Sequence, residues 1–354
     1  MAVTFSPGPS QLYFTVEDHT RSAFKLGVPS MSHRSKEFEK IYQHTQESLR
    51  ALLTIPPSHH IFFTGSATEI WERLIQNLVV EKSAHFVNGA FSEKFFKAAL
   101  QLNKKAQEIR VMDGTGFIEP ETLDAELIGV THNETSTGVA SPKSFIYGLK
   151  DQNPGAFLCV DAVSSLPYVD FDYSKIDSVY FSVQKGFGMP PGLGVWIVND
   201  ACIARAEYLQ FKGLSIGTHH ALPSYLKHGL KNQTPETPNS VAIYVLGKVA
   251  EDMARRGIHI IRKETEYKAA LLYNELKKHT SLNPFVSEKS FQSPTVIIAD
   301  TGKQTEKLSK YLADKGLFAG EGYGHHKGTQ LRFANFPSHS KEQFELLTDY
   351  LSAF

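Results

Sequence analysis

Between residues 60 and 198 the chain carries a series of short runs, most of them continuously apolar, and no other feature limits its fold as strongly. They are HIFFT (60–64), AHFVN (84–88), EIRVM (108–112), LIGVTH (127–132), AFLCVD (156–161), SVYFSV (178–183) and GVWIV (194–198). A strand that is apolar on successive residues is covered on both faces, the condition of parallel strands in an α/β sheet. Helical spacing lies between some of the runs: Ile70, Leu74, Ile75 and Leu78 within 67–80, and Phe95, Phe96 and Ala99 within 91–102. The alternation predicts an α/β fold with a mostly parallel, doubly wound sheet. After about residue 240 long amphipathic patterns (240–256, 258–279) precede SPTVIIA (293–299), a helix over 303–315, TQLRFAN (329–335) and a last helix over 340–353. That rhythm predicts a smaller α+β domain. The expected division is a large domain over 15–245 and a small domain made from 1–14 and 246–354.

Composition removes several classes of function. Thirty-seven Lys and Arg balance thirty-seven Asp and Glu, so the basic surplus that binds phosphate backbones is absent and no nucleic-acid partner is expected. No apolar stretch approaches the ~20 residues that span a bilayer, and the first residues lack a basic segment followed by an apolar one. A cytoplasmic location and no membrane partner are the expectation. Two cysteines, Cys159 and Cys202, make neither a disulfide framework nor a four-ligand zinc site. Cys159 reads as a core thiol. His219, His220, His325 and His326 show no regular ligand spacing, so no metal is expected.

The chemistry gathers around DSVYFSVQKGFGMPPGLGVWIV, 177–198, where a strand runs into Gln184-Lys185 and a Gly/Pro-rich turn. Open α/β sheets bind ligands beyond their strand ends, where Lys185 sits. Asp161 closes the apolar run AFLCVD, 24 residues earlier, and a buried acid needs a partner. Neighbouring strand ends bring the two side chains to one crevice. Such a pair suits pyridoxal phosphate: the lysine condenses with the aldehyde, and the carboxylate keeps the pyridine nitrogen protonated. A buried structural ion pair is the alternative. GSATE (65–69) follows a strand and opens a helix, which leaves the Ala67 and Thr68 amides and one hydroxyl for a phosphate. Ser66 and Glu69 also have the spacing of a capping box.

Taken in order along the chain, these segments resemble the class V, fold-type I aminotransferases, and among them the phosphoserine-using branch. The resemblance rests on Pro7-Gly8-Pro9, SHRSKEF (32–38), HNETSTG (132–138), Asp161, Gln184-Lys185, ETPNSVAIYVL (236–246) and LRFANFP (331–337). It implies that Lys185 carries the cofactor and moves the proton, and that Asp161 pairs with the pyridine nitrogen. It implies that Phe91 stacks on the ring, where the nearest relatives have Trp, and that Thr135 bonds the phenolic oxygen. Ala67, Thr68 and Gln184 would hold the phosphate, with Glu236 and Thr237 entering from the partner of a homodimer with shared sites. Arg332 would take the substrate's α-carboxylate, and His33, Arg34 and His325 its distal anion. For Arg34 a surface ion pair with Glu37 or Glu39 is the alternative. The implied reaction moves an amino group between glutamate and 3-phosphohydroxypyruvate, in serine biosynthesis. The chain departs from the branch at Ala67-Thr68 (elsewhere Gly-Arg), His325-His326 (elsewhere His-Arg) and Glu236-Thr237 (elsewhere Asn-Thr). Two guanidinium groups are thereby lost, with Lys327 and backbone amides near Thr68 as candidate replacements. The alanine/serine–glyoxylate (serine–pyruvate) branch shares the Ser-Ala-Thr step and is the second reading.

Overall fold

The computed structural model describes residues 2–354. The apolar runs form one seven-stranded sheet in the order His59–Thr64, Gly194–Asn199, Ser178–Ser182, Phe157–Asp161, Leu127–Thr131, Lys82–Val87, Lys105–Arg110. From Ser178–Ser182 to Lys105–Arg110 every pairing is parallel. Gly194–Asn199 is antiparallel to both of its neighbours. It follows Ser182 through a turn rather than a helix, and a parallel return would need a crossover of about a dozen residues or more.

Side-chain alternation divides the core. Leu158 and Val160 point into one fully buried cluster with Ile128, Val130, Val179 and Phe181. Cys159 points into the opposite cluster with Leu127, Tyr180 and Trp196. Each such buried side chain contributes about 1.5–3 kcal/mol, which is why a run apolar on both parities is stable only between two layers of helices. Both cysteines are free and buried.

A second sheet, of order Val3–Phe5, Leu317–Glu321, Gln330–Ala334, Val296–Asp300, Asn283–Pro284, packs with the Ile258–Lys278 and Lys341–Ser352 helices. The N-terminal strand pairs parallel to Leu317–Glu321, so the chain's first residues close the sheet built by its last hundred. Among the described residues no helix is long and apolar enough to cross a membrane.

Two differences from the sequence pattern have clear causes. The strand expected over 108–112 lies at Lys105–Arg110. It is an edge strand with mostly exposed side chains, so pairing with Lys82–Val87 sets its place and hydrophobicity does not. The Lys36–Leu53 helix was not anticipated, although Phe38, Tyr42, Thr45, Leu49, Leu52 and Leu53 form its buried face. Polar Thr45 interrupts that stripe, and its buried hydroxyl is satisfied by the Ile41 carbonyl of its own helix and the Ile243 carbonyl of the Ser240–Arg256 helix, both at 2.9 Å.

Candidate active site

The parallel strands end together, and their last residues line one cavity: Thr131, Asp161, and Ser182 followed by Gln184 and Lys185. Ala67, Thr68 and Trp71 from the Ala67–Leu78 helix and Phe91 from the Ala90–Gln101 helix form its walls, with Asn133 and Thr135.

Lys185 is only 7% exposed. Burial pushes its pKa below the ordinary lysine range, the nearby Asp161 charge opposes that shift, and Arg332 adds to it. Its Nζ donates to Thr135 Oγ1 at 3.0 Å, and that hydroxyl donates to Ser164 Oγ at 2.9 Å. A Cβ at Gly8 would lie 3.1 Å from Lys185 Cε, so the Pro7-Gly8-Pro9 turn closes over the lysine stem. At Gly186 a Cβ would sit 2.0 Å from the Leu166 carbonyl oxygen, and only glycine lets the chain turn there.

Asp161 is buried, and burial raises its pKa, partly offset by the Val163 N–H and by the Lys185 charge. Its Oδ1 accepts that N–H at 2.9 Å. The two residues face one cavity without a direct ion pair, so the structural-pair alternative does not describe them. A cationic N–H donor arriving beside Asp161 would reverse the burial penalty.

Two buried polar atoms on this cavity, Asn133 Oδ1 and Gln184 Oε1, have no hydrogen-bond partner among the described residues. Buried polar groups are nearly always paired, so the cavity wall is built for a polar ligand. At the helix start Ser66 Oγ accepts the Glu69 N–H (3.4 Å), while the Glu69 carboxylate reaches Gly65 N (2.7 Å) instead of closing the box on Ser66. The Ala67 N–H meets Ser182 Oγ at 3.2 Å.

Sequence reasoning gave no role to Glu134, which is fully buried beneath Phe91. Its carboxylate accepts from the backbone of Phe91, Ser92 and Ser136 and from both serine hydroxyls. It therefore occupies the start of the Ala90–Gln101 helix and anchors the backbone of Phe91, whose ring centroid is 5.1 Å from Lys185 Nζ. The signal was present as the acid within HNETSTG, but an acid is legible as a helix anchor only once the helix is beside it. Ser182, Ser164 and Tyr323 were also missed. Tyr323 lies against Phe91 with centroids 5.1 Å apart.

Arg332, on Gln330–Ala334, comes to the same place. Its guanidinium donates to the Glu321 carbonyl (2.6 Å) and the Thr135 carbonyl (3.4 Å) and lies 5.4 Å from the Tyr323 ring centre. The other anticipated anion ligands stand elsewhere in the chain. Arg34 pairs with neither Glu37 nor Glu39. It donates to Gln233 Oε1 and the Thr234 carbonyl, both at 2.8 Å, and to the Pro235 carbonyl at 3.2 Å. His33 is half-buried beside it, its pKa lowered by burial and by Arg34. Glu236 and Thr237 line a separate cleft with Gly65, Glu69 and Gly192, and Glu236 faces His220 at 3.3 Å. His325 and His326 both approach Asp113 Oδ2, at 3.2 and 2.9 Å, a grouping no sequence spacing signals. Lys327 turns to Glu321 at 3.3 Å on a different cleft, so it does not replace the missing guanidinium groups here.

Known proteins resemble this chain along nearly its whole length. A phosphoserine aminotransferase from Cytophaga hutchinsonii, of solved structure, is 46% identical, covers 99% of this chain and 98% of its own, and superposes with a TM-score of 0.98. A putative phosphoserine aminotransferase of Mycobacterium leprae is 28% identical over 327 residues, 90% of this chain and 85% of that protein. An alanine–glyoxylate aminotransferase from Nostoc shares the fold at a TM-score of 0.83 but is 21% identical, over 99% of this chain and 94% of its own. The family model for class-V aminotransferases matches residues 3–336. With the lysine, the aspartate and the cavity between them at the ends of the parallel strands, the chain belongs to the class-V aminotransferases.

Proposed function

We propose that this aminotransferase binds pyridoxal phosphate in the Lys185 cavity and exchanges the amino group between phosphoserine and 2-oxoglutarate, in the direction that supplies serine biosynthesis from 3-phosphohydroxypyruvate and glutamate. The observation that carries the reading is the 46% identity to the Cytophaga enzyme across nearly the whole of both chains. SHRSKEF at 32–38 supports it from the sequence side. The alanine–glyoxylate likeness reaches only the fold.

The residues fit the cofactor. Lys185 would hold it covalently, Asp161 would face the pyridine nitrogen, Phe91 would cover the ring and Thr135 would bond the phenolic oxygen. Ala67, Thr68 and Gln184 would hold the phosphate. Bound there, pyridoxal phosphate supplies the electron sink that lets an amino acid lose its Cα proton. Lys185, with an amine whose pKa burial has lowered, moves that proton at Cα. Asp161 holds the proton on the ring nitrogen. Arg332 orients the α-carboxylate, as a planar guanidinium does best.

Donor selectivity tests the substrate. Phosphoserine is expected to give the highest kcat/KM among phosphoserine, alanine and serine, at fixed low salt with the matching keto acid. An outright preference for alanine or serine with glyoxylate would replace this reading with the second one.

The same proposal includes a homodimer with shared sites, in a cytoplasmic enzyme acting on small molecules. Arg34, His33, Glu236 and Thr237 lie apart from Lys185 within one protomer, and a second copy is what would bring them in. Mixing the inactive Lys185→Ala chain with Arg34→Ala, after dissociation and reassembly, is then expected to recover about a quarter of wild-type phosphoserine turnover. Half the dimers would be mixed, each with one intact site. No recovery above the separate variants would show that each chain builds its own site.

A further inference from the structure

The proposed distal anion has few cations left to receive it within the protomer. Arg34 is engaged with the Gln233–Pro235 segment, and Lys327 with Glu321. Arg332 is spent on the α-carboxylate. One further cation stands beside Phe91, which walls the cavity. Lys94 is three residues beyond Phe91 on the same helix, a spacing that puts both on one face. Its Nζ lies 5.1 Å from the Phe91 ring centre and 5.1 Å from that of Tyr323. It donates to Tyr323 Oη at 2.6 Å. Among the described residues no carboxylate forms an ion pair with it, although the neighbouring Lys97 and Arg110 both take Glu93.

The arrangement is ordered around two rings. Phe91 has Lys185 on one side and Lys94 on another, each 5.1 Å from its centre. Tyr323 has Lys94 at 5.1 Å and the Arg332 guanidinium at 5.4 Å. A flexible lysine is thereby given a fixed direction by one hydroxyl and two π faces, which lowers the entropy lost when it binds an anion. A substrate gripped by Arg332 and reacting at Lys185 lies beside both rings, and the far end of its side chain is then within reach of Lys94.

We propose that Lys94 is a specificity-determining residue whose ammonium, steered by Tyr323 over the Phe91–Tyr323 pair, binds the anionic distal group of the substrate. It would thus supply charge that the chain lacks at Ala67-Thr68 and His325-His326. The proposal rests on the phosphoserine reading above for the identity of that group.

The test uses holoenzyme carrying Lys94→Met or Lys94→Arg. Two quantities are read: the ratio of kcat/KM for phosphoserine to that for alanine, and the inhibition constant of inorganic phosphate. In Lys94→Met the ratio is expected to fall about threefold, chiefly through KM, and the phosphate constant to rise about threefold, as for loss of one ionic contact at an exposed side chain. Lys94→Arg keeps the charge and is expected to keep most of both. An unchanged ratio and phosphate constant would overturn the proposal. So would a loss shared by both donors and by Lys94→Arg, which would make Lys94 a packing residue for the two rings. If wild type prefers alanine or serine, the phosphoserine reading fails on its own. Lys94 is then judged by the phosphate constant alone: a rise in Lys94→Met supports anion binding, and no rise overturns it.

Discussion

Lys185→Ala is expected to abolish transamination while leaving the protein folded. On the proposed function, one substitution removes both the amine that would hold the cofactor and the base that would move the Cα proton, and each loss is large. The combined fall should reach about 10³-fold or more. The fold should survive because Lys185 Nζ makes a single hydrogen bond, to Thr135 at 3.0 Å, and its charge is opposed by burial. Its removal trades a desolvated ammonium for a small cavity beside Gly8. The glutamate half-reaction gives the rate, and thermal unfolding gives the stability. Turnover within tenfold of wild type in a folded variant would mean that a different lysine does the chemistry.

Asp161→Asn is expected to damage the rate far more than cofactor content. Asparagine fills the same volume at the strand end and still offers an oxygen to the Val163 N–H, now held at 2.9 Å. What it lacks is a negative charge. Burial already works against that charge, and the chain provides no direct ion pair to hold it, so the site is arranged for a cation that comes with the ligand. On the proposed function, Asp161 is the group that would keep a bound pyridine nitrogen protonated, and asparagine could not do so. Rate and bound cofactor should be measured on the same preparations. A proportional fall in both would make Asp161 a binding or structural residue only.

Much of this was legible before any coordinates. The runs HIFFT, LIGVTH, AFLCVD, SVYFSV and GVWIV all became strands of one sheet, because continuous apolarity has one economical solution, a layer covered on both sides. The pairing of Asp161 with Lys185 across one cavity followed from their places at the ends of neighbouring strands. The edge strand at Lys105–Arg110 and the Lys36–Leu53 helix were misplaced or missed, since exposed residues and a buried threonine carry little pattern.

What the sequence by itself determined is therefore the layered core, the family and the meeting of Asp161 and Lys185 on one cavity. Periodicity and strand-end chemistry are local properties, written in adjacent residues. Tertiary structure alone decided which polar groups are spoken for. Lys327 is a cation in the sequence, yet the fold engages it with Glu321. Glu134 became the anchor of the Phe91 backbone, and Lys94 was left beside the Phe91 and Tyr323 rings with a phenol as its partner. A charge or a donor is available for function only when no neighbour distant in sequence has taken it, and those neighbours exist only in the folded chain.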